Sequence, residues 1–171
     1  RKVSIDLILQ HAKAVVAQAK NSMVVVDMPY GTYEKGAKLA YKNAKKIISE
    51  TGADAVKLEG GEKFFDIITF LIKKKINVMG HIGLLPQKHN GKYPVYGRKK
   101  NEEKKILDDL SSLEKAGVFS IVVECTVESI VKKLMKKSNT PIIGIGATSD
   151  CDGQVLVAED LLGLTDFNAK F

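Results

Sequence analysis

Four apolar stretches of this chain end in a residue that can carry charge or move a proton. They are Met23-Val24-Val25-Val26-Asp27, Ala55-Val56-Lys57-Leu58-Glu59-Gly60-Gly61, Asn77-Val78-Met79-Gly80-His81 and Ile121-Val122-Val123-Glu124. A buried parallel strand needs apolar side chains on both faces. A charge at its C-terminal end is costly unless that end opens into a site. A helix-like pattern follows each of the four, so they point to one polar cluster at one mouth of an α/β barrel or sheet. That is where α/β enzymes place their chemistry.

Each residue has a chemical and a structural reading. Lys57 and Glu59 are two apart on one strand and share a face, with Val56 and Leu58 turned to the helices. Held inward, they lose hydration unless each meets a partner or a ligand; a structural ion pair is the alternative. Asp27 suits a hard-cation ligand and equally a cap for the turn at Met28-Pro29. Glu124, in a partly dry pocket, has the character of a general base; pairing with a lysine is the alternative. A lone histidine such as His81 is more often a satisfied core residue than a catalyst, although Gly80 before it lets other backbone approach closely. His11 and His89 lack comparable surroundings and read as a surface helix residue and a loop residue.

The elements that would position these residues follow a strand–helix rhythm. Residues 3–20 carry Ile5, Ile8, Leu9, Ala12, Val15 and Val16 in a helical stripe, with Ser4 as its cap. Residues 34–51 predict a helix on Ala37, Ala40, Ala44 and Ile47-Ile48, stopped by Gly52. Further helices are expected at 64–74, 101–116 and 127–137, with strands before and after them. Pro141-Ile142-Ile143-Gly144-Ile145-Gly146-Ala147 predicts another strand, and 154–157 a last short one. Gly144 and Gly146 admit either a ligand or closely packed backbone, and residues 86–100 read as an irregular lid or oligomer contact. Five or six parallel strands with crossover helices result, either as an open sheet or as a barrel without its beginning.

Composition narrows the class. The 171 residues fit one domain. The net charge of +7 comes from 27 Lys plus Arg against 20 Asp plus Glu. The excess is lysine spread over several elements, with Arg1 and Arg98 the only arginines, which argues for a solvated surface and against a nucleic-acid face. Attraction of anionic substrates stays open. Cys125 and Cys151 lack metal-type spacing, and Cys125 reads as a buried free thiol in a reducing, cytoplasmic setting. No apolar run is long enough to span a bilayer, and the first residues lack a signal-peptide core.

Several strings together carry a resemblance. Val26-Asp27-Met28-Pro29-Tyr30, Val56-Lys57-Leu58-Glu59-Gly60-Gly61, Gly80-His81-Ile82-Gly83-Leu84-Leu85-Pro86-Gln87, Ile143-Gly144-Ile145-Gly146-Ala147 and Asp152-Gly153-Gln154-Val155-Leu156-Val157 are similar to signatures of the ketopantoate hydroxymethyltransferase family. The resemblance runs in order from about Val3 to the last residue. It implies a (β/α)8 TIM barrel of the phosphoenolpyruvate/pyruvate type, of which roughly strands three to eight are present, as a single incomplete domain over 1–171. It implies Mg²⁺-dependent transfer of a hydroxymethyl group from 5,10-methylenetetrahydrofolate to 3-methyl-2-oxobutanoate through a Mg-stabilised enolate, giving 2-dehydropantoate for pantothenate synthesis.

Carried over by position, the resemblance makes Glu124 the catalytic base and puts Asp27, Lys57 and His81 on the substrate. It puts Asp27 on the metal and Glu59 near it through water. A cytoplasmic homo-oligomer, often a decamer, is implied as well, with no nucleic-acid or membrane partner. The pattern departs in three places. The family's Gly-Asp-Ser-Leu-Gly-like motif, with a metal-ligand Asp, is not in this sequence. The stretch Asn90-Gly91-Lys92-Tyr93-Pro94-Val95-Tyr96-Gly97-Arg98 loses an inner glycine and gains a proline. Glu124-Cys125-Thr126 stands in place of Glu-Cys-Val. A fragment of that enzyme is one expectation; a non-catalytic remnant or assembly subunit, or a related 2-oxo-acid carbon–carbon lyase, are the others.

Overall fold

The computed structural model describes residues 3–89 and 93–164. The first helix, α1 (Ile5–Gln18), begins where the Ser4 hydroxyl accepts the Leu7 N–H at 3.2 Å, satisfying one of the unpaired first-turn donors. Strands β1 (Val25–Asp27), β2 (Ala55–Glu59), β3 (Val78–Gly83), β4 (Ser120–Glu124), β5 (Ile142–Ile145) and β6 (Gly153–Gln154) follow. Between them run α2 (Ala37–Thr51), α3 (Phe65–Lys73), α4 (Lys100–Ala116) and α5 (Glu128–Lys137), and α6 (Ala158–Leu161) comes after β6.

Every strand pairs in parallel with its neighbours in chain order, β1 to β6. A doubly wound sheet reverses its strand order at a switch point. This order never reverses, so the chain forms a curled, open arc of six strands matching strands three to eight of a (β/α)8 barrel.

Strand alternation and register sort the side chains onto two faces. One face carries Val26, Val56, Leu58, Val78, Ile82, Ile121, Val123 and Ile142, all buried under the helices. The other carries Asp27, Lys57, Glu59, His81 and Glu124, because Asp27 pairs with Lys57, Glu59 with His81, and Gly83 with Glu124. Gly80 lies on the helix side. A Cβ there would stand 2.5 Å from Leu113 Cδ1, so this glycine makes room for a side chain of α4 rather than for backbone.

The elements differ in detail from the sequence pattern. Helix α2 starts at Ala37, not at 34, because Glu34 is drawn into the preceding loop. Its carboxylate accepts the N–H groups of Gly31 at 2.8 Å and Tyr33 at 3.2 Å. Both α2 and α4 end on left-handed glycines, Gly52 (φ 76) and Gly117 (φ 91). The last strand is Gly153–Gln154, and Val155, Leu156 and Val157 run on beyond it, 42–60% exposed. Of the irregular stretch 86–100, Pro86–Lys88 forms a 3-10 turn and Lys100 opens α4; residues 90–92 lie outside the described residues. No helix among the described residues is long and apolar enough to cross a membrane.

Candidate active site

The rim at the C-terminal ends of β1 to β4 carries the Lys57–Asp27 ion pair and the His81–Glu124 contact, with a buried carboxylate between them. On β1 and β2, Lys57 Nζ lies 3.2 Å from Asp27 Oδ1. The Asp27 side chain is 57% exposed and that of Lys57 only 17%, so the ammonium sits in the mouth and the carboxylate at its edge. Lys57 thus pairs across the strands with Asp27; toward Glu59, on its own strand, it acts through its field.

Glu59 is 5% exposed. Its two oxygens accept the backbone N–H of Gln87 at 3.0 and 3.3 Å. Burial pushes its carboxyl above the usual carboxylate range, opposed by His81, the Gln87 N–H and Lys57, and reinforced by the charge of Asp27. The structure therefore holds Glu59 where a nearby cation would lower the cost of its charge.

His81 is 2% exposed. Its Nε2 lies 2.9 Å from the Leu84 carbonyl and 3.2 Å from Glu124 Oε2. Both neighbours only accept, so Nε2 carries a proton; Nδ1 is buried and has no hydrogen-bond partner among the described residues. Glu124 keeps its second oxygen free of His81, and its side chain is 14% exposed.

Backbone contacts hold Glu124 in place. Its carbonyl accepts the Leu84 N–H at 2.9 Å and the Thr126 hydroxyl at 3.0 Å. Gly83, at φ 85, passes so close that a Cβ would stand 2.4 Å from that carbonyl. Cys125 follows in a left-handed conformation, φ 43, which is uncommon for a residue with a Cβ. Its thiol is buried and pushed up, first by burial and then by Glu124, which fits an inert free thiol. Tyr96 runs alongside, its N–H donating to the Cys125 carbonyl at 2.7 Å and its carbonyl accepting the Val127 N–H at 2.9 Å.

The remaining sequence candidates lie apart from this cluster. His11 is exposed on α1, and His89 bonds through Nε2 to the Tyr96 hydroxyl at 2.8 Å. The space beside Gly144 is filled by the side chains of Cys151 and Gln154, so this glycine serves packing. Two residues of the rim were not singled out from the sequence. Tyr33, 1% exposed, donates to the Gln87 side-chain carbonyl at 3.3 Å, and the Gln87 amide nitrogen donates to the Met28 carbonyl at 3.0 Å. The only sequence signal was that Gln87 closes one of the motif strings.

Among the described residues, no three of His, Cys, Asp and Glu come together as a metal cage. The rim instead offers two hard-oxygen donors, Asp27 and Glu59. Mg²⁺ keeps several waters and is held by one or two carboxylates plus oxygens of a substrate, so a two-carboxylate donor set fits it.

Comparison with known proteins gives consistent results at sequence and fold level. The profile of the family described as ketopantoate hydroxymethyltransferase matches residues 1–171. The 3-methyl-2-oxobutanoate hydroxymethyltransferase of Pelagibacter ubique is 51% identical over 171 residues, covering 100% of this chain and 66% of that protein. The enzyme of the same name from Bartonella bacilliformis is 47% identical, covering 99% of this chain and 63% of its own length. The chain thus spans just under two thirds of these relatives. Among solved structures, a Burkholderia cenocepacia chain provisionally assigned as a lyase/mutase superposes with a TM-score of 0.61 at 13% identity, covering 95% of this chain and 59% of its own. The type I 3-dehydroquinate dehydratase of Clostridium difficile does so with a TM-score of 0.52 at 14% identity, covering 85% of this chain and 60% of its own. At these identities the likeness is one of fold alone.

Proposed function

The chain belongs to the ketopantoate hydroxymethyltransferase family, and from that premise we propose that its rim forms part of a site joining a one-carbon unit to a 2-oxo acid. The substrates are 3-methyl-2-oxobutanoate, 5,10-methylenetetrahydrofolate and water, which supplies the hydroxyl oxygen, and the products are 2-dehydropantoate and tetrahydrofolate. One observation carries this reading: Asp27, Lys57, Glu59, His81 and Glu124 lie on one face, in the C-terminal halves or at the ends of four neighbouring strands.

In this reading Asp27 and Glu59 hold Mg²⁺, which when bound polarises the keto group of the substrate. Lys57 contributes positive charge for the anionic 2-oxo acid, and Asp27 keeps that ammonium at the mouth. Glu124 takes the proton from the carbon next to the ketone. His81 Nε2, bonded to the Leu84 carbonyl, lies 3.2 Å from Glu124 Oε2 and so stands beside one oxygen of that carboxylate, the other receiving the proton in this reading. His81 thereby lies at the substrate. Assembly into a homo-oligomer and a cytoplasmic setting belong to the same reading.

The test is Glu124→Gln in the full-length gene product, followed by formation of 2-dehydropantoate and by exchange of the substrate's C3 proton with deuterated water. Both are expected to fall by about 10²–10⁴-fold. Wild-type exchange in that variant would overturn the assignment of Glu124.

A second reading is favoured by the want of a three-ligand cage among the described residues. In it, this segment alone is a catalytically incomplete part or an assembly subunit. Calorimetric titration of Mg²⁺ onto the chain as given separates the two. Stoichiometric binding supports a self-sufficient cation site, and no binding supports the incomplete part.

A further inference from the structure

We propose that Gln87, clamped by Tyr33, is a positioning residue that sets the Glu59 carboxylate and its distance from Asp27. The inference rests on the reading of Glu59 as a residue of the cation site. Glu59 takes a hydrogen bond from the Gln87 backbone, not from its side chain. The side chain fixes where that backbone lies. Its amide nitrogen donates to the carbonyl of Met28, the residue after Asp27, at 3.0 Å. Its amide oxygen accepts the Tyr33 hydroxyl at 3.3 Å. The orientation of the amide is unambiguous, because a carbonyl such as that of Met28 can only accept. A single residue thus ties the segments after β1 and β3 together through its side chain and, through its backbone N–H, reaches the end of β2.

Tyr33 is suited to the role of clamp. It is 1% exposed, and Phe64 packs against it edge-on with ring centroids 5.3 Å apart. Its hydroxyl also lies 3.5 Å from the backbone carbonyl of Glu59, the residue whose carboxylate accepts the Gln87 N–H. The proton of the phenol goes to the shorter contact, that with Gln87. Groups that orient a metal ligand through hydrogen bonds typically change metal affinity by tenfold to a hundredfold when removed.

The experiment uses the full-length gene product and Mn²⁺ as a paramagnetic stand-in for Mg²⁺, titrated by electron paramagnetic resonance alongside steady-state kinetics and thermal unfolding. Gln87→Met keeps the approximate shape of the side chain and removes both of its hydrogen bonds. It is expected to weaken Mn²⁺ binding about tenfold to a hundredfold and to lower kcat, with the KM for the folate unchanged and the unfolding midpoint within a few degrees. Tyr33→Phe, which removes one arm of the clamp, is expected to give the same pattern at about threefold to tenfold. Glu59→Gln is the reference for losing the carboxylate itself. If Glu59→Gln loses Mn²⁺ while Gln87→Met binds it as the wild type does, the positioning role is overturned and the reading of Glu59 survives. If Glu59→Gln binds as the wild type does, both fall. Should Gln87→Met fail to fold, Tyr33→Phe decides, and unchanged Mn²⁺ affinity in that variant overturns the proposal.

Discussion

The Nε2 atom of His81 lies 3.2 Å from Oε2 of Glu124, on the paired strands β3 and β4. Two groups joined this way act as a unit, and their substitutions do not add. In the full-length gene product, His81→Ala is expected to lower turnover by about tenfold to a hundredfold through loss of carboxylate orientation. Adding it to Glu124→Gln is expected to cost little more. A coupling energy of about 0.5–3 kcal/mol from the double-mutant cycle is the expected outcome; strict additivity would show that the two side chains act separately.

Gly83→Ala is expected to damage both stability and the rim. The backbone there has φ 85, and the added Cβ would stand 2.4 Å from the Glu124 carbonyl and from Thr126 Oγ1. Neither neighbour is the free end of a flexible chain. A loss of at least about 1–3 kcal/mol in urea unfolding is expected, from backbone strain alone. Unchanged stability would mean that β3 and the segment after Glu124 can separate without cost.

Gly80 and Leu113 make a size-swap test of the helix face. Leu113 is fully buried, and Leu113→Ala is expected to cost about 2–5 kcal/mol. Gly80→Ala drives a methyl to within 2.5 Å of Leu113 Cδ1 and is expected to cost about 1–3 kcal/mol by overpacking. The double variant should be more stable than the sum of the two losses implies, because the new methyl enters the vacated space. Simple additivity in chemical unfolding would contradict this packing.

A surface pair supplies a pH signature. Glu128 and Lys132 lie 2.7 Å apart one turn along α5, and Lys132 also reaches Asp150 at 3.5 Å. The hydrogen bond from Lys132 holds the Glu128 carboxyl below its usual range, and the same bond holds the ammonium above its own. A lowered carboxylate contributes stability above its unfolded pKa of about 4.3 and loses it as the pH falls through the folded value. A raised lysine contributes below about 10.4 and loses it as the pH rises through its folded value. The wild type should therefore melt slightly above Glu128→Gln between about pH 5 and pH 10, with the gap closing at both ends. A gap that widened in acid would reverse the sign.

Much of this could be read from residue order because strand alternation leaves few choices. Once Val56 and Leu58 are assigned to the helices, Lys57 and Glu59 have to share the opposite face, and the register does the same for His81 and Glu124. The ends of the helices were equally plain where a glycine with positive φ stops them, at Gly52 and Gly117. Contacts between distant segments were not. Nothing around Tyr33 shows that its hydroxyl meets a side chain 54 positions later, and nothing in residues 34–51 shows that Glu34 is spent on the loop before its helix. The partner of Lys57 was open for the same reason: an intrastrand neighbour is visible in a sequence, whereas Asp27 becomes adjacent only when β1 and β2 pair.

Tyr96 turns the segment ahead of α4 into an extra rung beside the end of β4, bonded on both sides to the peptides of Cys125 and Val127. That stitching makes one flank of the mouth a single mechanical piece: the arm cannot swing outward without dragging the peptide that follows Glu124.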